Sequence, residues 1–175
     1  MNLAVKLVRV RESRFMSINK RLRELFEEAG ISYEVYNRPL AFTREAGAGQ
    51  RSSGDHAAQV VILNVDGKLA MAVVAANQRV HLATAGASLG ARQIRLASEE
   101  EFLSRFPDYA IEAMPPFGNL FGLPVYVDPE VAKEGSIFFT AGGYAQTVRI
   151  GYADYDRLVR PQVVRLAEDQ RKHAA

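Results

Sequence analysis

Ile18, Leu22, Leu25, Phe26 and Ala29 recur at helical spacing with charged residues between them. That periodicity predicts an amphipathic helix running from an N-cap at Ser17 to a left-handed stop at Gly30. Tyr33 and Val35 alternate with Ser32 and Glu34, as a short strand would. Thr43 to Glu45 reads as the start of a brief helix, after which AGAGQRSSGD, Ala46 to Asp55, is too rich in glycine and serine to be regular. It is expected to be a mobile loop, a lid or substrate-contacting segment. Gln59 to Val65 and Lys68 to Val74 are almost continuously apolar and are joined by Asp66-Gly67. This pattern predicts a tight hairpin near the centre of a sheet buried on both faces.

Leu82 to Leu89, closed by Gly90, reads as a helix, and Gln93 to Leu96 as a strand. Ser98 and Glu101 form a capping box for a helix carrying Phe102, Leu103 and Phe106. Strands follow at Pro124 to Val127, Ile137 to Thr140 and Thr147 to Ile150, with a helical turn at Pro129 to Ala132 and a helix from Ala153. The tail holding Val163, Val164 and Leu166 is also read as helical. About six strands with four or five helices, without strict βαβ alternation or a repeat, predict the α/β class. The expected architecture is one domain over residues 1–175, a mixed central sheet with flanking helices, a basic N-terminal arm and a C-terminal helical tail.

Between the capped helix and the strand at Pro124 stands EAMPPFGNLFG, Glu112 to Gly122. Pro115 and Pro116 fix their own φ near −65° and push the preceding residues out of the α region. Gly118 then leaves the main chain without a side chain, so that a partner can approach it closely. The run reads as a rigid turn feeding a strand, or as a site that works through main-chain N–H groups.

Composition narrows the chemistry. A chain of 175 residues is long enough for a proper core. It has no cysteine, which excludes disulfides and thiolate metal sites. The first fifteen residues are interrupted by Lys6, Arg9, Arg11, Glu12 and Arg14, and neither a signal-peptide core nor a membrane span is present, so a cytoplasmic protein without a membrane partner is expected. Net charge is only +2, but residues 1–24 hold seven basic side chains against two acidic, a local +5, and the stretch from Arg157 onward carries a local +3. Such ends could grip a phosphate backbone, or form solvated helix faces. His56, His81 and His173 share no metal-chelating spacing, and HExxH, CxxC, GxSxG and a Walker loop are absent. A Ser53/His56/Asp55 triad is arithmetically possible, but neighbouring side chains in one loop seldom converge as nucleophile, base and orienter. The acidic run Glu99 to Glu101 is explained by the dipole of the helix it opens. What remains is main-chain electrostatics: N–H groups at Phe117 and Gly118, and at the turn TAGGY from Thr140 to Tyr144, disposed to hold a carbonyl oxygen as charge develops on it.

DHAAQVVILNVDGKLAMAVV, LGARQIRLASEEE, EAMPPFG, PVYVD and TAGGYAQTVRI, in this order and at these separations, resemble the YbaK family, also called the prolyl-tRNA-synthetase-associated editing domain. The resemblance spans roughly residues 17–167. It implies an α/β domain that hydrolyses the ester between a wrong amino acid and its tRNA, without metal or other cofactor. Water attacks the carbonyl, the proline-glycine loop positions the ester, and the terminal ribose hydroxyl assists. The implied partners are aminoacyl-tRNA and, beside it, an aminoacyl-tRNA synthetase.

Carried onto this chain, the resemblance puts Gln59, Gly118 and Gly142 in the catalytic role. Glu112, Ala113, Met114, Pro115, Pro116, Phe117, Thr140, Ala141 and Gly143 become the substrate-binding residues. Lys20, Arg21 and Arg23 are the expected tRNA phosphate contacts. Three positions depart from the family pattern: Gln59 stands where the family has lysine, Glu112 where its loop has the first glycine, and Thr140 where asparagine is common. Two functions follow as expectations, a deacylase acting in trans on misacylated tRNA, and a catalytically silent module of the same fold that binds aminoacyl-tRNA ends, a nucleotide or a protein.

Overall fold

The expected hairpin organises the chain. In the computed structural model, which describes residues 20–36, 57–107, 109–141 and 146–168, β2 (Ala58–Val65) and β3 (Lys68–Ala75) pair antiparallel from Val65↔Lys68 back to Ala58↔Ala75. Asp66 and Gly67 make the turn with φ of 51° and 85°, the left-handed angles of a type I′ turn. On one side β2 takes β4 (Ile94–Leu96) antiparallel, and on the other β3 takes β5 (Val125–Val127) parallel. A last strand, β8 (Gln162–Val163), lies parallel beside β5, so the five-stranded sheet is mixed and runs β4-β2-β3-β5-β8.

β1 (Glu34–Tyr36), β6 (Ser136–Thr140) and β7 (Thr147–Gly151) form a second, antiparallel sheet in the order β1-β7-β6. The strands therefore divide into sheets of five and three, linked by a bridge between Ala57 and Phe138. The α/β class with a mixed sheet stands; the division into two sheets was not foreseen. Around the sheets lie α1 (Lys20–Glu28), α2 (Leu82–Leu89), α3 (Glu99–Arg105), α4 (Pro129–Ala132) and α5 (Tyr152–Val159). Local signals placed most of these ends. Gly30 and Gly90 adopt the left-handed φ that stops a helix, and the Ser98/Glu101 capping box is formed in both directions.

The tail is where expectation fails. Arg160 takes a left-handed φ of 50° and ends α5, Pro161 has no N–H to continue it, and the β-branched Val163 and Val164 run on as extended chain. That segment is held by Asp128, 3% exposed, whose Oδ2 accepts from the N–H groups of Leu166 (2.9 Å) and Ala167 (3.0 Å) while Oδ1 caps α4 at Glu130 N (3.0 Å). The C-terminal stretch through Ala167 is thus strand and extended chain, not a helix.

Strand alternation sends side chains to two faces of the larger sheet. Ala58, Ile62, Met71, Val73, Val125 and Val127 join a large core with α1, α3, α5 and the three-stranded sheet. Leu63, Ala72 and Val74 face a smaller cluster with Ala85 of α2 and Leu166 of the tail. The Ser17 cap, the 43–45 helix and the 46–55 loop lie outside the described residues.

Candidate functional site

The proline corner hangs on the large core. Ile111–Ala113 and Gly118–Phe121 are single 3₁₀ turns, and between them Met114, Pro115, Pro116 and Phe117 are all buried. The chain reverses tightly at the second proline, where Phe117 N–H donates to the Pro115 carbonyl at 2.8 Å, a three-residue turn suited to proline's fixed φ. The Pro116 carbonyl accepts from the Tyr155 hydroxyl at 2.8 Å. Tyr155 is wholly buried, and that burial pushes its phenol well above its usual range, so it remains a donor.

Phe117 is the hub. Its ring meets Phe26, Phe139 and Tyr155 edge-on at centroid distances of 5.5, 5.4 and 5.4 Å, the arrangement that aromatic quadrupoles favour. The Phe117 N–H is taken by the Pro115 carbonyl, and the Phe117 ring is core, with no exposed surface.

Gly118 differs from its neighbour. Its N–H opens a 3₁₀ turn and takes no acceptor among the described residues. Its Cα is pressed against β5 and the residue leading into it: a Cβ there would lie 2.5 Å from Val125 Cγ2 and 3.0 Å from the Leu123 carbonyl oxygen. Close approach therefore demands glycine, although the backbone is not left-handed. Glu112 sits in the first 3₁₀ turn without a positive φ, so the main chain at this position does not require the family's glycine.

Thr140 ends β6 opposite Thr147 of β7, and Ala141, 1% exposed, donates its N–H to Gln146 O at 3.3 Å. Ala141 packs in the same core as Met114 and Phe117. The structure thus brings the 113–118 corner and the end of β6 to one core, while Gly142 and Gly143 lie outside the described residues. Gln59 is not brought there. It alternates with Val61 and Leu63 on the other face of the sheet, and its Nε2 donates to the Gln78 carbonyl at 2.6 Å.

On α1, Leu22 and Phe26 enter the core and Phe26 reaches Phe117, while Lys20 and Arg21 are exposed and Arg23 is half-buried. Lys20 pairs with Glu24 at 3.6 Å. Tyr155 and Asp128 escaped the sequence reading. Tyr155 looks like one more apolar position of a helix, and the partners of both lie 38 or 39 residues away. His81 was weighed only as a metal ligand; its Nδ1 accepts from Thr84 N–H at 3.3 Å and caps α2, and its Nε2 lies 3.1 Å from Glu168.

The fold and corner define a mixed α/β domain in which the close-approach glycine turn at Gly118 is locked from beneath by aromatic side chains. Residues 39–158 match the aminoacyl-tRNA editing domain, and the chain belongs to that family. Solved structures agree on the fold. A proposed trans-editing enzyme for prolyl tRNA synthetase aligns with a TM-score of 0.69 at 22% identity, over 87% of this chain and 100% of that one. A hypothetical protein aligns with a TM-score of 0.70 at 16% identity, over 85% of this chain and 100% of its own. A proposed signal transduction protein from Marinobacter aquaeolei VT8 gives a TM-score of 0.70 at 16% identity, over 87% of this chain but only 31% of that protein. This chain thus spans about a third of the length of that relative. No curated protein matches the chain. Among the described residues no helix is long and apolar enough to cross a membrane.

Proposed function

We propose that this chain is a cytoplasmic editing domain that hydrolyses, in trans, the ester of misacylated tRNA. The observation that carries this reading is the Gly118 N–H, left without an acceptor among the described residues on a corner whose neighbouring Phe117 N–H and Pro116 carbonyl are already bonded. The ester carbonyl of the aminoacyl end accepts from that N–H, which gains strength as negative charge builds on the oxygen. Gly142 is the second donor in this reading. Water attacks the carbonyl carbon, the bond from that carbon to the ribose oxygen breaks, and the proton leaves with the ribose oxygen, releasing free amino acid and tRNA. Ala113 to Pro116, with Thr140, Ala141 and Gly143, shape the pocket, and Met114 and Phe117 support it from the core. Lys20, Arg21 and Arg23 meet tRNA phosphates.

Purified protein in catalytic amounts is expected to release amino acid from at least one misacylated tRNA in a broad panel; no release from any would refute the reading. Affinity for tRNA should fall steeply with added salt, and a flat response would remove α1 from the interface.

A second reading, a silent binding module, is favoured by Gln59, whose amide is spent on Gln78 O on the far face of the sheet. The discriminating reagent is Glu112→Gly, which restores the family's first loop glycine at the corner. An inert wild type beside an active variant supports the silent module, whereas a wild type of comparable rate excludes it.

A further inference from the structure

The hydroxyl of Tyr155 is a polar atom set in a largely apolar core, beside the ring of Tyr152. Its residue has no exposed surface, and its one partner is the Pro116 carbonyl, 39 residues earlier in the chain. A phenylalanine would fill the same space but leave the buried Pro116 carbonyl without its donor. What the bond adds is direction. Holding the Pro116 carbonyl sets the plane of the Pro116–Phe117 peptide, whose N–H is simultaneously turned back onto Pro115. The Phe117 ring is then clamped by Phe26, Phe139 and Tyr155 itself. The fixed peptide and ring set the Phe117 φ of −110°, and the Phe117 carbonyl, in the same peptide as the Gly118 N–H, accepts from Leu120 N–H at 2.9 Å and holds ψ at 64°. From this chain of contacts we infer that Tyr155 is a positioning residue: its hydroxyl aims the Gly118 N–H at the carbonyl of the bound ester. The inference rests on the deacylase reading of the corner. Tyr155 touches no reacting atom; it acts through Pro116 and Phe117.

The test compares Tyr155→Phe with Val159→Ala in the full chain. Val159 is buried in the same core, on the same helix, and its truncation lowers stability without removing any bond to the corner. By amide NMR, Tyr155→Phe should shift the Phe117 and Gly118 resonances and speed Gly118 hydrogen exchange, while Val159→Ala leaves both near wild type. In deacylation assays Tyr155→Phe should lower kcat roughly 10-fold to 100-fold, the scale of a misplaced reacting group, with KM within about two-fold of wild type. Val159→Ala should keep kcat at temperatures where it is folded. Unmoved Gly118 resonances in Tyr155→Phe overturn the inference whatever the kinetics. A moved resonance with unchanged kcat overturns it as well. If wild type is inert and the resonance moves, the deacylase reading fails while the positioning of Gly118 by Tyr155 stands.

Discussion

The two faces of the five-stranded sheet are built differently, and the family's signature positions are split between them. One face carries the corner, on a core of Phe26, Phe102, Phe106, Phe117, Phe139 and Tyr155. The other carries Gln59 above an aliphatic cluster of Leu63, Ala72, Val74, Ala85 and Leu166. Aromatic rings prefer particular mutual orientations, so the first face resists rotation of its parts as well as separation. Aliphatic packing is less directional, and on the second face hydrogen bonds supply the alignment, through Asp128 to the tail and Gln59 to the 76–80 loop.

The largest effect should come from Phe117→Ala, which empties the hub of that face. It is expected to cost about 3–5 kcal/mol of unfolding free energy, measured by denaturant titration; a loss no greater than that of an aliphatic truncation such as Val74→Ala would break the comparison. Asp128→Ala strands three backbone N–H groups on the other side and should cost about 3 kcal/mol. Hydrogen exchange should then show faster opening of Leu166 and Ala167, with Phe117 protected as before. Gly118→Ala drives a methyl into Val125 and Leu123 and should cost about 1–3 kcal/mol. By displacing the N–H it should also lower deacylation about 100-fold, the scale of a misplaced reacting group. Gln59→Leu removes one amide-to-carbonyl bond, about 1 kcal/mol, and should leave kcat unchanged if the sheet truly separates it from the corner. A loss of kcat there would reunite the two faces.

The smallest effect is electrostatic and sits at the sheet edge. Glu101 is bonded by Arg95, the Ser98 N–H and Asn64, and these bonds hold its carboxyl below the usual carboxylate range, Arg95 first. A depressed folded pKa means stabilisation that is complete above about pH 4.3, the unfolded value, and is lost as pH falls through the folded one. Glu101→Gln should accordingly flatten the acid limb of a stability-pH profile without altering the neutral region.

Much of the fold was legible because its signals are short-range. Asp66-Gly67, Gly90 and the Ser98/Glu101 box each act within three or four residues, and each formed as expected. The tail was misread because Val163, Val164 and Leu166 were taken as helical apolar spacing, when Pro161 and the β-branched pair carried the stronger message. The corner was legible as a stiff, bare backbone. Which of its N–H groups stays available was not, since Phe117 N–H is consumed by a turn whose closure depends on the detailed backbone angles.

The sequence by itself determined most helix and strand positions outside the C-terminal tail, the hairpin at the centre of the sheet, and the family, because these follow from neighbouring residues and the order of motifs. Only the tertiary structure decided that Gln59 and the corner lie on opposite faces, that Asp128 holds the tail, and that Tyr155 grips Pro116. Those pairings join residues 19 to 39 positions apart, and their partners are set by how the sheets and helices pack, which no local pattern encodes.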